Sequence, residues 1–199
     1  MNDNDKTVER LLAIVNEMRE NAQDMRSYRN LPLADEFMEL LKSIDDPEEE
    51  GIGKVHAIEA IVDYLSEYDV PRRMLAIRRY ELEQLALCTA DDLKNEPHLA
   101  EELAYNIRKL EDYIDTQHVG TEDFRKKYNR HLKFDPIERT PEWEDIYYNV
   151  EQECDRRLGD TPRGMGFCFS YWAELRNVLA ERGIEWHSPH ELNPRVMFD

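Results

Sequence analysis

Apolar residues in this chain recur at intervals of three and four, and nowhere do apolar and polar residues alternate for long enough to make a convincing strand. An α-helix turns once every ~3.6 residues, so three-four spacing gathers side chains on one face, whereas a half-buried strand needs a period of two. The spacing is clearest near the start, where Val8, Leu11, Val15, Met18, Ala22 and Met25 make the seam of a helix packed lengthwise against another helix. The pattern predicts an all-α fold, a multi-helix bundle of about seven to eight helices with a short irregular C-terminal tail.

The same spacing marks the later elements. Leu33, Phe37, Leu40, Leu41 and Ile44 follow Pro32 and run into the acidic stretch Asp45, Asp46, Pro47, Glu48, Glu49, Glu50, where the helix stops. A third helix carries Val55, Ile58, Ile61, Val62 and Leu65, and Pro71 opens a fourth with Met74, Ile77 and Leu85 inward. Thr89 with Asp91 and Asp92 makes a capped turn, Pro97 opens a fifth helix striped by Leu99, Leu103, Ile107, Leu110 and Ile114, and Gly120 closes it. Connections this short make neighbouring helices antiparallel. Beyond Gly120 the character changes. Arg125, Lys126, Lys127, Arg130 and Lys133 crowd a short helix with Phe124, Tyr128 and Phe134. Two more helices follow, one with Trp143, Ile146, Tyr147, Val150 and Cys154 inward, the other with Cys168, Tyr171, Trp172, Leu175 and Leu179. Residues 1–118 therefore read as an acidic bundle of about five helices. Residues 119–199 read as a smaller aromatic-rich segment packed on it, with one continuous domain as the alternative.

Charge narrows the partners. The chain carries a net charge of -18, and residues 1–118 hold 14 Lys/Arg against 28 Asp/Glu while residues 119–199 hold 12 against 16. Such a field repels nucleic acid and anionic lipid and draws in basic proteins, so direct DNA binding through residues 1–118 is not expected. The longest uninterrupted apolar stretch, Leu11 to Val15, is far shorter than the ~20 residues a membrane span needs. The start Asn2, Asp3, Asn4, Asp5 lacks the basic and apolar regions of a secretory signal. Cys88, Cys154 and Cys168 are widely spaced and odd in number, which fits a reducing cytoplasm rather than a disulfide framework.

Chemistry concentrates between residues 161 and 191. Arg163, Gly164 and Gly166 precede a helix, so free backbone amides, the positive end of the helix dipole and a guanidinium together make an anion-binding candidate; a plain loop accounts for the same residues. Cys168 falls in the first turn of that helix, where a thiol pKa drops, and His187 and His190 follow as candidate bases. Against a catalytic cysteine stands its place on a stripe with Tyr171, Trp172 and Leu175, which favours a core position. His187, His190 and Glu191 are the right residue types for a metal. Their spacing around the Ser188 cap is not that of two histidines one helical turn apart, no di-iron pattern is present, and no metal or cofactor is expected. The basic-aromatic helix is suited to phosphates and bases, yet Phe124 and Tyr128 one turn apart favour a buried face with the cations paired internally.

The leading expectation is a non-enzymatic protein that binds a basic protein partner through an acidic helical surface. Candidate contacts are Asp45, Asp46, Glu48, Glu49, Glu50, Glu101, Glu102, Glu111 and Asp112. A sharper form is a nucleic-acid mimic that inhibits a DNA- or RNA-binding protein. The alternatives are an enzyme with Cys168, Arg163, His187 and His190 in one cleft, and a scaffold that self-associates through the Val8–Met25 seam.

Overall fold

Prolines and short polar residues set where the helices begin. Pro71, Pro141 and Pro189 each open a helix, at a position whose amide has no intrahelical acceptor to lose. Thr140 accepts a hydrogen bond from the Trp143 amide, and Ser188 with Glu191 forms a reciprocal capping box. The computed structural model describes residues 3–44 and 51–198, and among them the regular elements are helices with no strand. In order they are α1 (Asp3–Gln23), α2 (Asn30–Ser43), α3 (Ile52–Val62), α4 (Pro71–Leu85), α5 (Leu99–Ile114), α6 (Thr121–Lys127), α7 (Pro141–Leu158), α8 (Phe167–Ala180) and the single turn α9 (Pro189–Leu192). The multi-helix fold expected from the spacing is the fold observed. No described helix is long and apolar enough to cross a membrane.

The chain forms two compact units, residues 1–111 and 112–199. The division falls inside α5, seven residues before the change in composition at position 118. Two further boundaries differ from the sequence expectation. Helix α5 ends at Ile114, and Gly120 stands instead as the N-cap of α6. Helix α1 turns its buried face through Leu11, Ile14 and Met18, leaving Val8 exposed and placing Met25 beyond the helix end with a positive φ. Ile14 takes the inward position because it lies one turn from both Leu11 and Met18, whereas Val8 sits at the edge of that face.

In unit 1, hydrogen bonds fix the helix directions. Asn30, wholly buried at the start of α2, donates to the carbonyls of Met18 at 3.0 Å and Tyr64 at 2.9 Å and accepts from Asn21. At the other end of α2, Lys54 donates to the Ile44 carbonyl at 3.0 Å. Helix α2 therefore runs antiparallel to both α1 and α3, and α1 and α3 run parallel to each other. Helix α3 packs along α4 on its other side.

In unit 2, two aromatic clusters carry the core. Tyr113, Phe124 and Phe134 meet with ring centroids 5.2–6.2 Å apart. Trp143 and Trp186 stack at 6.3 Å over Val150, Cys154, Leu175, Val178 and Leu179. The buried Arg139 donates to the carbonyls of Asp112, Tyr113 and Asp115, supplying donors that the C-terminal end of α5 lacks.

Candidate functional site

A groove of about 190 Å³ opens on unit 1. Its floor is α2, with Phe37, Leu41 and Ile44 at helical spacing; one wall is α1, with Val8, Leu12 and Val15; the other is α3, with Gly53, Ala57 and Ala60. The volume matches the ~150 Å³ at which an apolar cavity takes up a benzene-sized group. The small residues of α3 create the space, since larger ones there would fill it. One turn beyond Val15 and just past the end of α3, Arg19 Nε donates to the Tyr64 hydroxyl at 3.1 Å and ties the two walls together at that end.

The lining is apolar apart from Lys54, whose ammonium is engaged by the Ile44 carbonyl. Leu12 is 61% exposed and Val8 45%, so apolar surface stands open to water on the α1 wall. Exposed carboxylates stand nearby: Asp5 one turn before Val8, Glu9 one turn before Leu12, and Asp63 one turn after Ala60.

On the far side of α3 the half-buried Glu59 faces the buried Glu81 across Arg78. Glu81 on α4 has no exposed surface, and burial followed by its hydrogen bond to Glu59 raises its carboxyl pKa to about 8 against the opposing charge of Arg78. Burial works to raise Glu59 as well, but the hydrogen bond from Glu81 and the charge of Arg78 hold it below its ordinary value. At neutral pH Glu81 thus keeps its proton while Glu59 is ionised. Glu81 Oε1 and the neighbouring Gln84 Oε1 are buried without a hydrogen-bond partner.

The residues singled out in the sequence are dispersed. Arg163 pairs with Asp155 of α7 and covers the Phe167 ring at 4.9 Å, so its charge is already met inside the unit. Arg163 is the cation of the candidate anion loop it forms with Gly164 and Gly166. Gly164 is exposed, and Gly166 adopts φ +80° to turn the chain into α8, which is a conformational reason for the glycine. His187 is held by Asp135, through its amide at 2.9 Å and its ring at 3.0 Å. His190 meets the rings of Phe169 and Phe198 edge-on. Cys168 is half-buried, and Cys154 is the cysteine in the core, its thiol pushed up to about 12 by burial and then by Glu151 and Glu174. Arg163, His187 and His190 therefore face three separate sets of partners and form no common cleft. Among the described residues no group of three or more His, Cys, Asp or Glu is arranged to hold a metal.

The basic-aromatic helix serves its own unit. Phe124 is wholly buried, Arg125 donates to the carbonyls of His131 and Leu132, and Lys127 pairs with Asp112. Among the acidic candidates, Asp45, Asp46, Glu48, Glu49 and Glu50 lie outside the described residues. Glu101 and Glu102 are exposed in the first turn of α5. Glu111 pairs with Arg79 at 2.9 Å, and Asp112 accepts from Lys127 and from the Tyr128 hydroxyl at 2.6 Å. The Val8–Met25 seam is likewise spent internally at Leu11 and Met18, which are buried. Neither the groove nor the Glu59–Glu81 pair was foreseen. The small residues Gly53, Ala57 and Ala60, at helical spacing on α3, are the one trace the former leaves in the sequence.

Comparisons of the chain with protein-family models, with curated proteins and with solved structures found no match.

Proposed function

We propose that this chain is a non-enzymatic, cytoplasmic binding protein that uses unit 1 to hold a basic protein partner. The groove carries the reading. Keeping Leu12 and Val8 uncovered beside an apolar valley costs free energy that a partner's apolar side chains recover on docking. The exposed Asp5, Glu9 and Asp63 give the surroundings a negative sign. Charges of this kind speed the encounter with a basic surface and are screened by salt.

A nucleic-acid mimic is less well supported, because Glu111 and Asp112 already have cations of their own. The enzyme reading loses its constellation with Arg163, His187 and His190 turned to different partners. Self-association sets two copies of charge -18 against each other.

The test is capture on immobilised wild-type and Leu12→Asp chains from extracts of the native host, at about 0.05 M and about 0.5 M salt. A basic protein retained by the wild type at low salt, released at high salt and missed by the variant supports the reading. Identical captures by both chains would sink it.

A further inference from the structure

Resting on that protein-binding reading, we propose that the occupant of the groove is the apolar face of a single amphipathic α-helix of the partner, basic along its edges, laid over the valley lined by α1, α2 and α3. The groove of about 190 Å³ admits a few side chains, and its two walls meet where Arg19 bonds Tyr64, so a partner helix rides over the walls and inserts the apolar side chains of one face. Val8 to Val15 on α1 and Gly53 to Ala60 on α3 each cover eight residues, seven helical steps. At ~1.5 Å per residue both walls run for roughly 10 Å, two turns, and match side chains at i, i+3 or i+4, and i+7 of the incoming helix. The walls are unequal. Gly53, Ala57 and Ala60 leave room for leucine-sized side chains, while Leu12 and Val15 supply their own bulk, so the occupant's large residues seat against α3.

Other occupants fit less well. Strand addition needs a sheet edge, and no strand exists among the described residues. A proline-rich segment docks on aromatic ridges, and among the described residues the one aromatic in the lining, Phe37, lies on the floor and is 1% exposed. A long-chain carboxylate would bring its headgroup among Asp5, Glu9 and Asp63, with the Lys54 ammonium engaged by the Ile44 carbonyl. The same carboxylates favour Lys and Arg on the two edges of a helix and disfavour Glu.

The test titrates the full chain into three fluorescent synthetic peptides of about 16 residues (~24 Å as helix). The first has Leu at i, i+3, i+4 and i+7 with Lys and Arg on the flanks; the second places Pro at its centre; the third replaces the basic flanks with Glu. Anisotropy should show binding of the first peptide with at least about tenfold weaker binding of the second and third, and circular dichroism should show the first gaining helix on binding. Leu12→Asp should weaken the first peptide by about tenfold or more while leaving the chain's own helical signal and unfolding midpoint close to wild type. Equal affinity for the helical and proline peptides overturns the helix and leaves the protein-binding reading standing, and so does failure of all three peptides beside a chain that still captures a basic protein through Leu12. A dimer in sedimentation that Leu12→Asp abolishes assigns the groove to a second copy and overturns both.

Discussion

The Arg78 guanidinium on α4 donates to the buried carboxyl of Glu81 at 2.8 Å and pairs as well with Glu59 of α3. A raised pKa on an acid means that the folded chain keeps a proton the unfolded chain has already released between about pH 4.5 and about pH 8. Stability contributed by that proton is complete below the unfolded value, falls as pH rises through the interval, and levels off above the folded value near 8. Glu81→Gln removes the titration and keeps a donor for Glu59. Urea unfolding at about pH 5, 7 and 9 should give a flatter profile for the variant, which gains on the order of 2 kcal/mol relative to wild type toward the alkaline end. Parallel profiles would mean that Glu81 is ionised throughout.

Arg139 is buried because its donors are needed where α5 ends. It serves three carbonyls and lies 5.5 Å from the Tyr113 ring centroid and 5.8 Å from that of Phe124. Arg139→Ala leaves those carbonyls short of donors and opens space between the rings, at a cost of about 3 kcal/mol or more. Arg139→Lys keeps the charge but not the planar fork, so it should fall between the two. Chemical denaturation of the full chain ranks the three, and an alanine variant as stable as wild type would show that water serves those carbonyls equally well.

The helices were legible because burial on one face leaves a periodic trace in sequence, and the aromatic helix was legible for the same reason through Phe124 and Tyr128. Phase within a face is harder to read. Val8 and Ile14 are equally apolar, and which of them turns inward depends on where α2 crosses. The Glu59–Glu81 pair left no trace, since Arg78 and Glu81 three residues apart look like any solvated ion pair until α3 covers them. The groove is a space bounded by three helices, and spaces have no residues of their own. Arg163 and His187 present the opposite case: their residue types suggest ligands, while the carboxylates they meet, Asp155 and Asp135, lie outside the segment from 161 to 191.

The stacked tryptophans of unit 2 differ in one hydrogen bond. Trp186 Nε1 donates to Glu138 at 2.9 Å, while Trp143 Nε1 is buried with no hydrogen-bond partner. Phenylalanine at either site loses similar apolar area. At 143 it also removes an unsatisfied donor, and at 186 it strips a partner from Glu138, so Trp186→Phe should be the more destabilising by about 1–2 kcal/mol. Equal losses would imply that an ordered water satisfies Trp143.

Ala57 offers a way to separate stability from binding at the groove. Leucine and alanine are both good helix formers, so Ala57→Leu changes little in α3 itself. Its side chain enters the groove and covers apolar surface of Leu12 and Leu41, and at ~0.8 kcal/mol per buried methylene, only partly realised in an open site, the gain is about 1 kcal/mol. The same side chain occupies the space reserved for the partner. Thermal unfolding should therefore rise while capture of the basic partner falls, opposite signs that misfolding cannot produce. A variant that loses stability instead would show that α1 and α3 lie closer together in solution, with no room between them for a leucine or for a partner.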